Sequence, residues 1–405
     1  MKRFSFKKRK GRDQIDLDTP QNEYYEKISV RFGVAQVILY FALFAFVVLS
    51  FLKNTQLITY QNFYYFIKDL NASAQASDPY STDSVTYPTD SDQCFTLYRN
   101  GIAVAGNNAL TVFTATGRQT VSQNLSYQNP VAVGSGKYLL VYELGGLQYS
   151  LYNSYAQIHK GSSEYPILGA AVSESGMFAL VSASESYPST VSLYNDRFSL
   201  VNRYNKIGYV MDVSINEKGN RIAILSSTPK NGVFESELMI CKPGKEEAEA
   251  VVELGDVMGW RCQFTENDRI SVLHESGVAF LSAKGKLESE FNFGGKVPLA
   301  IDCGRNGVAL CLAESENSSK KSLIIFDKSG KVLYNDAVLG AVNQIARSGN
   351  TLYWLSNTGV HRLDVQSGRI LFEECDVLQK TLMAPSESEA LLCSPKKADY
   401  IDFKS

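Results

Sequence analysis

Three histidines in 405 residues and seven cysteines without one CxxC pair leave little material for a metal centre. His159, His274 and His361 lie far apart in the chain and read as strand or surface residues. No P-loop, dinucleotide fingerprint, nucleophile elbow or Ser/His/Asp order is present, so neither a catalytic constellation nor a cofactor is expected. The cysteines (Cys94, Cys241, Cys262, Cys303, Cys311, Cys375, Cys393) read mostly as small apolar strand residues, with Cys303 and Cys311 the one sequence-close pair that a hairpin could bring together. A strong charge excess is lacking too, since 40 Lys/Arg face 42 Asp/Glu. That balance and its distribution exclude a nucleic-acid-binding domain, whose cations would cover the folded part.

One stretch lacks charge altogether. Between Arg31 and Lys53, the 21 residues Phe32–Leu52 (FGVAQVILYFALFAFVVLSFL) are uncharged. At about 1.5 Å per residue, a helix of this length covers roughly the 30 Å of a bilayer's hydrocarbon core. Residues 1–31 carry nine Lys/Arg against five Asp/Glu, while Lys53 and Lys68 are the only cations soon after the stretch. The positive-inside rule then places a basic tail, 1–31, in the cytoplasm, a transmembrane helix at 32–52 and the remainder outside the cell. A cleaved signal peptide would have a shorter apolar core closely followed by small residues; Ala72-Ser73-Ala74 come too late. The bilayer is thus one expected partner.

Residues 53–71 repeat apolar side chains at helical spacing and read as a juxtamembrane amphipathic helix. Tyr60, Phe63, Tyr64 and Phe66 suit a membrane interface, although a helix that only extends the span fits the same spacing. Residues 72–93, rich in Ser, Asp, Thr and Ala, read as a polar linker.

From residue 94 to 405 one hairpin recurs: an apolar strand, a tight polar turn, a second apolar strand. Its turns fall at Gly101, Gly136, Gly176, Gly219, Asp268, Gly307, Gly349 and Ser388. A second hairpin follows each at a matching distance, as in IIFDKSGKVLYN from Ile324 and HRLDVQSGRILFEE from His361. Each repeat therefore supplies four antiparallel strands, the period of a propeller blade. Strands apolar on both sides, such as IAILS, suit blades stacked against neighbours on both faces. The fold class is all-β, a β-propeller preceded by one transmembrane α-helix. The last repeat, from Lys380, has only three strands. Residues 84–88 are placed to supply the fourth, giving eight four-stranded blades; seven with irregular ends is the alternative.

The Asp-to-Gly turns at Asp327–Gly330 and Asp364–Gly368, each preceded by an apolar residue and followed by Lys or Arg, resemble those of quinoprotein-type and WD-type propellers. The whole layout (basic tail, single span, Asn62–Asn71, degenerate propeller) resembles a membrane-anchored domain family of unknown function from Gram-positive bacteria. That resemblance implies fold and location and carries no activity.

Aligned hairpins put Asp212, Gln263, Asp302 and Gln344 at one position of the first strand in four successive blades. If that strand lines the central channel, four polar groups on one arc could bind a ligand; the same groups could instead hydrogen-bond neighbouring blades. The function that fits best is an extracytoplasmic protein-interaction scaffold with an envelope protein as partner. A ligand or glycan sensor, or a hydrolase working through the channel with Asp212 and Asp302 as its carboxylates, is the alternative.

Overall fold

A computed structural model describes residues 23–53, 84–99, 101–154, 156–378 and 380–403. The chain divides into two compact units, residues 1–64 and 65–405. In the first, a 31-residue helix runs from Glu23 to Lys53 and contains the whole uncharged stretch. Its described side chains from Phe32 to Phe46 are almost all exposed, with Phe41 at 72% and Phe46 at 71%. Among the described residues no helix is long and apolar enough to cross a membrane. The proposed interfacial residues Tyr60, Phe63, Tyr64 and Phe66 lie outside the described residues, as does most of the linker.

The second unit is an all-β propeller of eight four-stranded antiparallel blades. Seven blades follow chain order. The eighth has strands Thr381–Met383, Glu389–Cys393 and Lys397–Asp402, and its outermost strand is Ser84–Thr86, paired Ser84 to Asp399 and Thr86 to Lys397. Among the described residues the propeller's first strand in the chain is Ser84–Thr86, within the 84–88 segment expected to supply it. Val85 and Tyr87, 4% and 7% exposed, are the apolar residues buried there. Both join a cluster with Leu391 and Cys393 of blade 8 and Ile102 and Val104 of blade 1, which closes the ring.

The second strands form the core. Gly101–Ala105, Phe178–Ser182, Gly307–Ala313 and Thr351–Leu355 are buried at every position. Alternate side chains of a strand point to opposite faces, and here both faces meet another blade. Ala103 and Ala105 pack on Leu139 and Val141 of blade 2, whereas Ile102 and Val104 pack on blade 8. Leu140 and Tyr142 of blade 2 turn to Phe178 and Leu180 of blade 3.

Turn chemistry follows the sequence. Asp327 Oδ1 accepts from Ser329 N–H (2.8 Å) and Lys331 N–H (2.9 Å), and Gly330 adopts φ +84°. Asp364 Oδ1 does the same for Ser367 N–H (2.8 Å) ahead of Gly368 at φ +71°. Blade 4 departs from the rest: its second and third strands, Ile222–Lys230 and Val233–Cys241, are nine residues each and stay paired to Lys230–Val233. Asn231 and Gly232, at φ 52° and 85°, make the tight turn that a twisted two-stranded ribbon prefers. All seven cysteines are free; Cys303 and Cys311 face opposite blade seams, so their hairpin does not bring them together.

Candidate functional site

The eight first strands (Cys94–Tyr98, Pro130–Gly134, Ile167–Val172, Tyr209–Ile215, Gly259–Phe264, Val297–Gly304, Gln344–Ser348, Thr381–Met383) begin the sheet order of their blades or, in blade 8, end it. Successive first strands contact one another and so surround the axis. Asp212, Gln263, Asp302 and Gln344 lie on four of them. Their strand partners are Leu225, Ser271, Ala309 and Leu355. Leu225, Ala309 and Leu355 pack in the seam with the following blade, and Ser271 Oγ lies 3.4 Å from Cys303 Sγ across its own seam. Residues directly opposite in a sheet share a face, so all four polar side chains point at the next blade.

Most of their hydrogen bonds are made in those seams. Asp212 Oδ2 accepts from Cys262 N–H of blade 5 (2.9 Å), and Oδ1 accepts from Val213 N–H (2.9 Å). Asp302 Oδ2 accepts from Arg347 N–H of blade 7 (2.6 Å). Gln344 accepts from Leu382 N–H (2.8 Å) and donates to Lys380 O (3.1 Å), both on the blade 8 side, while Gln263 donates to Phe264 O (3.0 Å). Ser214 Oγ, accepting from Phe264 N–H (3.1 Å), repeats the device. Burial raises the pKa of both aspartates, opposed by these backbone donors and by Arg261. Arg261, exposed on the first strand of blade 5, thus sits electrostatically between two carboxylates of the flanking blades. A lone cation in the otherwise uncharged strand GWRCQF was the signal for it.

The three histidines are placed on separate blades. His159 stacks on Phe198 (4.4 Å between centroids) and His361 on Trp354 (4.5 Å); buried His274 shares a hydrogen bond with Ser276 Oγ (3.0 Å). Burial lowers the pKa of all three. Among the described residues no group of three or more His, Cys, Asp or Glu could hold a metal ion.

The two ends of the propeller differ. One carries the first-to-second and third-to-fourth turns. There Arg305 of blade 6 pairs with Glu174 of blade 3 (2.6 Å) and Glu217 of blade 4 (3.3 Å). Blades 3 and 6 are not neighbours, so this ion pair spans the mouth of the channel. Asn216 donates to Asp268 (3.0 Å), and Lys328 pairs with Glu266. A cavity of about 340 Å³ on this face holds Arg269, Lys328 and Arg347, but each is already engaged, by Glu288, by Glu266 and by the carbonyls of Phe326 and Gly349.

The opposite end, here the crossover face, carries the blade-to-blade connections and the second-to-third loops. Among the described residues eleven large apolar side chains are exposed at it: Leu144, Leu147, Leu168, Tyr187, Ile207, Tyr209, Val233, Phe234, Trp260, Leu339 and Leu378. The propeller's other exposed large apolar residues among those described are all on outermost strands. Nine of the eleven fall between blades 2 and 5, including the tip of the long blade 4 hairpin. Away from the outermost strands, the exposed large apolar side chains among those described are thus confined to this end of the propeller. A cavity of about 220 Å³ opens on the same face at blade 3.

A family of unknown function, DUF5711, matches residues 76–402. The chain belongs to DUF5711. Solved structures similar to this DUF5711 chain include the Chaetomium thermophilum Sqt1 bound to the N-terminus of the ribosomal protein L10. It is 10% identical, with a TM-score of 0.55, covering 80% of this chain and 100% of that one. BamB from Moraxella catarrhalis is 12% identical, with a TM-score of 0.50 and coverage of 80% and 99%. At such identity the likeness shows the fold alone, a β-propeller, which is a common protein-interaction scaffold. A comparison with curated proteins gives no match.

Proposed function

We propose that this DUF5711 chain is a single-span membrane protein of a Gram-positive envelope, holding its propeller outside the cell as a docking scaffold for another protein. The observation that carries the docking reading is the asymmetry between the two ends: charges are paired across one, while exposed apolar side chains gather on the other. Glu185, Glu253, Asp256 and Glu275 border that apolar surface without an ion-pair partner among the described residues, which favours a partner bearing Lys or Arg. Support for the anchor comes from the 21 uncharged residues inside the helix and from the excess of cations before them. No catalytic group is invoked.

The test is photo-crosslinking in membranes with p-benzoylphenylalanine at Tyr209 or Phe234, and at Leu287 on an outermost strand as control. The expected result is a defined adduct with a second protein from the first two positions only, in a chain that resists alkaline extraction. Equal adducts from Leu287, or release of the chain by alkali without detergent, would refute the proposal.

A further inference from the structure

The 220 Å³ cavity on the crossover face has an unusual wall. It is built by the connection from blade 2 to blade 3, by the second-to-third loop of blade 3 and by three strands of that blade. Among the described residues no aliphatic side chain lines it. Strand register sets Ser182, Thr190 and Asn205 in one row across the sheet and Ser192 opposite Arg203 in the next. The face that packs Phe178 and Leu180 against blade 2 therefore turns polar as it reaches the cavity.

Much hydrogen-bonding capacity there is unspent. Thr190 Oγ1 donates to Asn205 Oδ1 (3.0 Å), leaving the Asn205 amide nitrogen without an acceptor among the described residues. Arg203 makes a single long bond, 3.4 Å to Glu164, although a guanidinium has five N–H donors. Glu185 has no partner among the described residues, and the cavity also holds the rings of Tyr165 and Tyr187.

We propose that this cavity binds a saccharide, one pyranose ring of a larger glycan. Four ligand chemistries compete, and the wall discriminates among them. A phosphate needs donors and would meet two carboxylates. A Lys or Arg side chain needs acceptors and would meet Arg203. An apolar group would find no aliphatic surface. A sugar hydroxyl both donates and accepts, which matches a wall of amide, guanidinium, carboxylate and hydroxyl groups, and the Tyr rings offer flat apolar surface to the C–H face of a pyranose. This site shares Glu185 and Tyr187 with the crossover face of the scaffold reading, but Arg203 and Asn205, which that reading does not use, belong to it alone.

The experiment is saturation-transfer NMR on the full chain in a polyoxyethylene detergent, since sugar-based detergents would compete. The probes are glucose, galactose, mannose and N-acetylglucosamine with their short oligomers, alongside inorganic phosphate and Nα-acetyl-arginine amide. Expected is transfer to at least one saccharide, with Kd raised about tenfold by Tyr187→Ala and by Arg203→Gln, and thermal unfolding unchanged. Ser186→Trp, which fills the cavity from its loop, should abolish the signal. The proposal is overturned if no sugar responds at millimolar concentration, if all three variants respond as the parent does, or if phosphate or the arginine amide binds there instead.

Discussion

Tyr87→Ala tests ring closure at its weakest point. Among the described residues three backbone pairs hold Ser84–Thr86 to blade 8, extended by a hydrogen bond from Tyr87 N–H to Lys396 O (3.1 Å), so the side chains of Val85 and Tyr87 carry much of the attachment. Tyr87 is 7% exposed, lies 5.9 Å from the Phe95 ring and 6.4 Å from the Phe113 ring of blade 1, and donates its hydroxyl to Ser394 O at 2.6 Å. Removing a buried aromatic costs about 3–5 kcal/mol. Tyr87→Phe, which loses only the hydrogen bond, should cost about 1 kcal/mol, and Val85→Ala about 2 kcal/mol. Urea unfolding of the full chain measures the order. Hydrogen exchange locates it: about 3 kcal/mol speeds local opening roughly 150-fold, so amides of Lys397–Asp402 should exchange that much faster in Tyr87→Ala while those of Gly307–Ala313 in blade 6 do not. A loss below about 1 kcal/mol for Tyr87→Ala, or uniform acceleration in every blade, would refute the reasoning.

Glu389 carries a pH-dependent prediction. Its Oε2 is buried without a hydrogen-bond partner, it pairs in register with Asp402, and burial followed by that charge raises its pKa to about 7. A carboxyl held above its unfolded value of about 4.3 favours the folded state when protonated, so this contribution is lost as pH rises from about 4.3 towards 7. Glu389→Gln should therefore match the parent at pH 4 and exceed it by about 1–2 kcal/mol at pH 8, once solvent screening of a half-buried group is allowed for; equal urea midpoints at pH 8 would contradict this. In the seam of blades 6 and 7, Asp302→Ala leaves Arg347 N–H without its acceptor and should cost about 1–3 kcal/mol in urea. Asp302→Asn, which keeps an oxygen there, should recover most of that loss.

The repeat was readable because a hairpin writes itself locally: two apolar strands and a turn whose Asp and Gly have fixed duties, as at Asp327–Gly330. Counting such units, with one strand missing at the end, led to eight blades and to the strand at Ser84. That strand offers only two apolar residues, Val85 and Tyr87, among Ser, Asp, Thr and Pro, so it was legible from the missing partner in blade 8 and not from its own composition. For Asp212, Gln263, Asp302 and Gln344, alignment conveyed the strand but not the partner. Which way a first-strand side chain faces is set by pairing with Leu225, Ser271, Ala309 and Leu355, and the backbone donor that Asp212, Asp302 and Gln344 accept from lies 38 to 50 residues on in the next blade. Arg261 stood out in its strand yet escaped notice without its neighbours. The polar cavity at blade 3 left no trace: its Ser, Tyr and Glu residues are ordinary singly, and they converge only when Ser163 and Asn205 are folded onto one blade.

Blade 8 unites some of the earliest propeller residues to be synthesised with the last, because Ser84 must find Asp399 across nearly the full length of the domain. Until Lys397–Asp402 has been made, the growing arc has a bare edge at each extremity. A nascent or truncated chain is therefore exposed to strand exchange with its neighbours in a way the finished circle is not, and its safe assembly depends on how long the N-terminal strand can wait.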